Sequence, residues 1–163
     1  MEKINYKKFY PTAVALYFTY FIHGIGASIL GQYKQDFASM WGAKVLEDGT
    51  FDVSMVVSVI AALGLGRLIS LPFSGPISDK FGRRISGIIG VICYALYLGG
   101  IVFSPNMAVG YAFAIIGGVA NSFLDTATYP AVAEIINKYT GIATMGIKLF
   151  ISVAQLLMPF FLG

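Results

Sequence analysis

Five long runs of apolar residues, separated by short polar segments, make up most of the chain. The runs cover residues 11–31, 53–74, 85–103, 108–133 and 141–163. Each run has about the 20 residues that a helix needs to cross the hydrocarbon core of a bilayer. Inside lipid, an α-helix satisfies all of its backbone polar groups within one segment. The pattern therefore predicts an all-α polytopic membrane protein with five transmembrane helices.

The composition excludes a soluble domain. Hydrophobic residues make up 57% of the chain and charged residues 12%, whereas soluble domains carry about 25% charged residues. The bases lie at the ends of the apolar runs and do not form one basic stripe. The predicted partner is therefore a lipid bilayer and not a nucleic acid.

The residues that could carry chemistry indicate that the chain is not an enzyme. Cys93 is the only cysteine, so neither an intrachain disulfide nor a cysteine-based metal site can form. The sequence contains no HExxH metal motif and no GxxxxGK[ST] phosphate loop. We therefore expect no cofactor, no resident metal and no ATP-driven step on this chain.

The basic residues predict the orientation in the membrane. Lysine and arginine in short loops are retained on the cytoplasmic side. A cytoplasmic N-terminus would place seven of these bases inside: Lys3, Lys7, Lys8, Lys80, Arg83, Arg84 and Lys138. It would leave two outside, Lys34 and Lys44. We therefore predict a multi-pass plasma-membrane protein with its N-terminus in the cytoplasm.

A short basic segment over residues 75–84 joins the second and third runs, and we expect it to form a tight loop. Its order is glycine, three residues, aspartate, a base, one residue, glycine, arginine and another base. This order resembles the signature loop of the major facilitator superfamily. The six matching positions are Gly75, Asp79, Lys80, Gly82, Arg83 and Arg84.

The resemblance implies a gating role for these residues. Asp79 would pair with bases and a helix end in the other half of a transporter, and Gly75 and Gly82 would allow the tight loop. Members of the superfamily typically have twelve spans in two six-span halves. The chain would then supply five spans of an N-terminal half (residues 1–163), as a fragment or the product of an interrupted gene. The second half would be missing.

Four ionisable side chains lie within the predicted spans: His23, Arg67, Asp125 and Lys148. At 1.5 Å per helical residue, the last three lie about 12, 13 and 11 Å from the inner ends of their spans. An ionised group at such a depth costs several kcal/mol unless it has a partner or faces water. The similar depths predict either a salt-bridge cluster that joins helices or a layer that lines the transport path.

The most specific prediction concerns Asp125. We predict that it faces the protein interior, pairs with Arg67 or Lys148, and exchanges a proton during transport. Arg67 is the better partner, because a guanidinium can hold a carboxylate through two hydrogen bonds. The superfamily resemblance also implies that the second and fourth spans meet near their cytoplasmic ends.

The fourth span contains a local polar pattern around Asp125. Asn121 lies four residues earlier on the same helix face. The run of small residues, the acid and a following proline resembles the fourth span of sugar-transporting branches of the superfamily, including fucose–proton symporter relatives. Phe113 stands where the common family pattern has an arginine, and Arg67 is a candidate substitute for that arginine.

Two further residues are candidates for the substrate or proton pathway. His23 lies about 18 Å from the inner end of the first span, near the bilayer midplane. It is either a hydrogen-bonded packing residue or a ligand for substrate or proton. Gln155 in the fifth span reaches a comparable depth and is a weaker candidate of the same kind.

The predicted function is part of a secondary active transporter that moves a small solute by alternating access. A proton is the expected coupling ion, because Asp125 and His23 offer protonatable groups inside the membrane. The alternative is a small polytopic membrane protein that assembles with partner subunits and transports nothing. The sequence leaves both readings open.

Overall fold

A computed structural model describes residues 6–162, and these are almost entirely helical. The six α-helices are α1 (Tyr10–Gln32), α2 (Lys34–Met40), α3 (Ser54–Phe81), α4 (Arg83–Val102), α5 (Met107–Ile135) and α6 (Thr140–Leu162). Short 3-10 turns precede α1 and α6. All of these helices except α2 are long and apolar enough to cross a membrane. The predicted all-α class of a polytopic membrane protein is confirmed.

Four of the long helices begin and end within two residues of the apolar runs, and α3 is the exception. The reason for the general agreement is the bilayer, which sets the length of each apolar run and allows only helix within it. Lys3, one of the predicted cytoplasmic bases, lies outside the described residues, as does Gly163, the last residue of the fifth apolar run.

The predicted loop over residues 75–84 is instead a helical extension followed by a one-residue turn. Helix α3 continues to Phe81, and α4 begins at Arg83. Only Gly82 leaves the helix, with φ 90° and ψ 151°, a backbone conformation that glycine adopts without steric cost. Its amide donates to the Ser78 carbonyl oxygen at 2.9 Å. Gly75 is helical and so does not form the expected loop.

A regular spacing of buried serines explains why α3 continues. Ser70, Ser74 and Ser78 recur every four residues and are all buried, so one face of the helix keeps packing beyond the predicted end. Ser78 Oγ also donates to the Thr126 carbonyl oxygen of α5 at 3.3 Å. Pro76, inside the extension, removes one intrahelical hydrogen bond, and the packed face keeps the segment helical.

The described residues fall into two compact units. The terminal unit contains residues 6–28 and 128–162, which are most of α1, the end of α5 and all of α6. Within it α1 and α6 run parallel, because Tyr17 contacts Ala143 and Ser28 contacts Met158. Close to the middle of the contact, Gly24 lies against the backbone of Ile151.

The central unit contains residues 29–127, and α5 lies against both α3 and α4 within it. Helices α3 and α5 run parallel, since Gly66 meets Ile115 and Ser78 meets Thr126. Helix α4 runs antiparallel to α5. Near its start, Ser86 Oγ donates to the Phe123 carbonyl oxygen at 3.0 Å. Near its end, Gly100 lies against the ring of Phe113.

Within the central unit, an aromatic side chain holds the segment between α1 and α3 against the start of α5. Trp41 is buried, and its Nε1 donates to Ser104 Oγ at 2.9 Å. Its ring lies against Gly110 of α5, where any side chain larger than hydrogen would collide with it. Asp52 accepts a hydrogen bond from the Ser54 amide at the start of α3, and this bond lowers the pKa of the carboxyl.

Candidate functional site

The candidate site is built on a close contact between α3 and α5 in the central unit. Gly66 on α3 lies against the Ile115 carbonyl, and Gly118 on α5 lies against the Leu63 carbonyl. A Cβ at either glycine would overlap the backbone of the other helix. In membranes, small residues at a helix contact allow such close approach of two backbones. The two glycines therefore set the distance and the register of α3 against α5.

A hydrogen bond between two serines holds this register one turn further along. Ser70 Oγ lies 2.8 Å from Ser122 Oγ, and both side chains are fully or almost fully buried. Ser122 Oγ in turn lies 3.2 Å from the Arg67 carbonyl oxygen, to which it donates. Buried hydroxyls of this kind cross-link helices where no water is available to satisfy them.

Arg67 and Asp125 form an ion pair across this contact. Arg67 follows Gly66 and Asp125 lies three residues after Ser122, so the register of the two helices brings the side chains together. Arg67 Nη2 lies 2.6 Å from Asp125 Oδ2. The predicted partner choice is therefore the one that the structure contains, and the short distance is that of a charge-assisted hydrogen bond.

The ion pair is accessible rather than sealed within the unit. The Arg67 side chain is 51% exposed and the Asp125 side chain 21%. The carboxylate is thus the more enclosed partner. A pair with this exposure can be reached by water, a proton or a solute if the surface faces an aqueous path.

The depths behind the sequence prediction need correction, because α3 is longer than expected. Arg67 lies 14 residues before Phe81, about 21 Å from the end of α3. Asp125 lies about 15 Å from the end of α5, and Lys148 about 12 Å from the start of α6. These three distances differ because the ends of α3 and α5 are not level, whereas Arg67 and Asp125 meet and so lie at the same height of their contact. A polar layer that also includes Lys148 stays a prediction.

Asn121 lies one helical turn before Asp125, as the spacing predicts. Its Oδ1 is buried and accepts no hydrogen bond from any residue that the structure describes. A buried amide oxygen normally has a partner, either protein or water. Asn121 therefore offers a hydrogen-bond acceptor beside the ion pair.

His23 lies in the terminal unit, where it belongs to an aromatic cluster. It is 9% exposed, and its ring centroid is 5.2 Å from that of Tyr20. Tyr20 is completely buried and meets Tyr129 edge to face at 5.8 Å. The His23 ring therefore packs in this cluster, and both the packing role and the ligand role of His23 stay predictions.

The remaining predicted residues of α6 and of the α3–α4 turn lie at or near the surface of the described residues. Lys148 is exposed and Gln155 is half-buried. At the turn, the more exposed members are Asp79, Lys80, Gly82 and Arg84, while Gly75 and Arg83 are half-buried. Within residues 6–162, Asp79 makes no ion pair. The exposed charges of the turn are thus Asp79, Lys80 and Arg84.

Sequence reasoning missed the small polar residues that position the ion pair. Ser70 and Ser122 were not among the candidates, although they cross-link the two helices. A signal was present in the four-residue spacing of small residues on both helices. That spacing runs through Gly66, Ser70, Ser74 and Ser78 on α3, and through Gly118, Ser122 and Thr126 on α5.

Comparison with known proteins identifies the family. The profile of the Major Facilitator Superfamily matches residues 14–163, so the chain belongs to this superfamily of membrane transporters. The five long apolar helices agree with that assignment. No solved structure matches the chain.

Three curated relatives are bacterial transport proteins. Inner membrane transport proteins YdiM and YdiN of Escherichia coli (strain K12) are each 38% identical over 151 residues, 93% of this chain. The uncharacterized MFS-type transporter YfkL of Bacillus subtilis (strain 168) is 34% identical over 148 residues, 91% of this chain. The matches cover 35%, 34% and 35% of these relatives. The chain thus spans about a third of their length.

Proposed function

We propose that the chain is the N-terminal part of a proton-coupled secondary active transporter, with Asp125 as the group that exchanges the proton. The observation that carries the proposal is the accessible Arg67–Asp125 ion pair at the α3–α5 contact. The N-terminus would be cytoplasmic, as the basic residues predict. The plasma membrane is the expected location, since two of the relatives are named inner membrane transport proteins.

The ion pair offers a mechanism for coupling. When Asp125 is ionised, it holds Arg67 through the bond between Nη2 and Oδ2. Protonation of Asp125 removes the negative charge and leaves the Arg67 guanidinium without its counter-ion. A conformation that gives Arg67 another partner, such as water or the solute, is then favoured. A proton can shift a two-state equilibrium only through such a difference in interaction energy between the states.

The close contact between α3 and α5 limits the response to protonation of Asp125 to the neighbourhood of the ion pair. Ser122 and Gly118 hold the backbone of Arg67 in place, so loss of the ion pair frees the guanidinium without separating the helices. The side chain of Arg67 is long enough to redirect its charge while its Cα stays fixed. Protonation of Asp125 therefore changes the position of one side chain, that of Arg67, while the helices stay in place.

The α3–α4 turn is the second proposed functional element. Asp79 and Arg84 are exposed on either side of Gly82, at the junction of two helices that a single left-handed glycine connects. By the resemblance to the superfamily's signature loop, Asp79 would bind bases and a helix end of the second half in one conformational state. The helical extension of α3 supplies a rigid support for that contact.

The test is a proton-flux measurement on the full-length protein in proteoliposomes. The vesicles contain a pH-sensitive dye and receive sugars, small carboxylates or amphiphilic drugs from outside. Our proposal expects one of these solute classes to drive proton movement that protein-free vesicles lack. Absence of any solute-dependent flux, together with a stable complex with another membrane protein, would instead support a non-transporting subunit.

A further inference from the structure

Helix α6 has three distinct faces, and one of them is a polar stripe with a single charge. The stripe is formed by Thr144, Lys148, Ser152 and Gln155, which are exposed or half-buried. A second face packs within the terminal unit through the buried residues Ala143, Ile147, Ala154 and Met158. The third face is exposed and apolar, and consists of Ile142, Met145, Leu149, Val153, Leu156 and Phe160.

The polar stripe and the apolar face point in different directions. At 3.6 residues per turn, the centre of the stripe lies roughly 110° around the helix from the centre of the apolar face. A helix that meets lipid on its whole exposed surface would have no reason to segregate its polar residues in this way. The segregation indicates that lipid or an apolar helix covers one exposed face and that water reaches the other.

The charge of Lys148 is the main reason to expect water at the polar stripe. The hydroxyls of the stripe are satisfied within the helix, since Ser152 Oγ donates to the Lys148 carbonyl oxygen at 3.0 Å. Thr144 Oγ1 likewise lies 3.0 Å from the Gly141 carbonyl oxygen. The Lys148 ammonium forms no ion pair with any described residue. A cation inside a span costs several kcal/mol unless it reaches water or a counter-charge.

We propose that the α6 stripe lines the aqueous path and that Lys148 attracts and binds the anionic group of a transported solute, such as a carboxylate or phosphate. The proposal rests on the proposed transport function and adds a substrate class to it. Arg67 is already held by Asp125, which leaves Lys148 as the uncompensated cation in the described part of the spans. Its three N–H donors suit an oxyanion.

Cysteine labelling in the full-length protein tests whether water reaches the stripe. Cys93 and any cysteine in the rest of the protein are replaced by serine, and Ser152→Cys is compared with Leu149→Cys, an exposed neighbour on the apolar face. The probes are two membrane-impermeant methanethiosulfonates, one carrying a sulfonate and one a trimethylammonium group. We expect Ser152→Cys to react at least tenfold faster than Leu149→Cys.

The charge of the site is read from the ratio of the two labelling rates. In the Ser152→Cys protein, Lys148→Gln should lower the ratio of the sulfonate rate to the ammonium rate by about tenfold, because the attraction and the repulsion both disappear. Lys148→Arg is the matched control and should keep the ratio.

Two outcomes would overturn the proposal. Equal labelling at positions 149 and 152 would mean that the stripe faces lipid or protein and that Lys148 extends to the bilayer surface. An unchanged ratio in Lys148→Gln would mean that an acid elsewhere in the protein already neutralises the ammonium. Labelling requires no solute and no gradient, so its failure is distinguishable from failure of the proton-flux measurement.

Discussion

The close contact between α3 and α5 predicts that a single added methyl group at Gly118 will destabilise the protein. Gly118→Ala places a Cβ against the Leu63 carbonyl, a backbone atom that cannot rotate away. Gly64→Ala is the matched control, because nothing lies within 4 Å of a Cβ at Gly64. Both substitutions replace a glycine inside a transmembrane helix, so they differ chiefly in the packing of the new methyl group.

The expected magnitude follows from this comparison. Replacing a helical glycine by alanine stabilises a helix by roughly 0.5–1 kcal/mol, and this gain applies to both variants. Overpacking a well-packed contact costs roughly 1–3 kcal/mol, and this loss applies to Gly118→Ala alone. The free energy of unfolding of Gly118→Ala should therefore lie about 1–3 kcal/mol below that of Gly64→Ala.

The assay is unfolding in mixed micelles with increasing sodium dodecyl sulfate, followed by the fluorescence of Trp41. This is the only tryptophan of the chain, and it is buried against Gly110 and Ser104 of the same unit. Each variant is measured in the same mixture of lipid and detergent. If Gly118→Ala proved as stable as Gly64→Ala, the backbone contact at Gly118 would not exist and the register argument for the ion pair would fail.

Further predictions concern the α3–α4 turn, the tryptophan anchor and the start of α3. In the full-length protein, Asp79→Asn should slow transport at equal surface expression, because the lost charge weakens the proposed contact with a second half; unchanged kinetics would contradict this role. Ser104→Ala should lower the free energy of unfolding by about 1 kcal/mol, since Trp41 Nε1 loses its acceptor. The conservative variant Ser104→Thr keeps a hydroxyl and should lower the free energy of unfolding less. The Ser54 amide lowers the pKa of Asp52, so the hydrogen bond between them should hold at neutral pH and weaken only as the pH falls through that lowered pKa, which amide hydrogen exchange can follow.

The transmembrane helices could be predicted from the sequence because the bilayer imposes their length. A run of about 20 apolar residues has few alternatives to a spanning helix. The partner of Asp125 could also be predicted, since an ionised acid in a span requires a base and Arg67 offered the better geometry. Both inferences rest on the high cost of polar groups in lipid, which leaves few structures possible.

The helical extension of α3 could not be predicted from the local sequence. Gly75 and Pro76 suggest a turn when local backbone preference decides. Here the buried face through Ser74 and Ser78 decides, because its packing outweighs the local preference of Gly75 and Pro76 against helix. Its only sequence signal is a four-residue spacing of serines, which acquires meaning once the neighbouring helix is known.

The packing environment of His23 could not be predicted from the sequence for a different reason. The aromatic cluster around it depends on Tyr129, more than 100 residues away along the chain. Such a contact follows from the way in which α1 and α5 approach each other in the terminal unit, and no local pattern encodes it. A lone histidine in an apolar run therefore left both a packing role and a ligand role open.

The role of Asp125 in proton coupling is tested by separating solute exchange from proton-driven accumulation in Asp125→Asn. Full-length protein in proteoliposomes is assayed for exchange of labelled solute at equal concentrations, and then for accumulation under an imposed pH gradient. We predict that Asp125→Asn exchanges solute but does not accumulate it, whereas Asp125→Glu, which keeps an exchangeable proton, does both. Accumulation by Asp125→Asn at the rate of the unmodified protein would contradict it and would make the Arg67–Asp125 pair a purely structural link between α3 and α5.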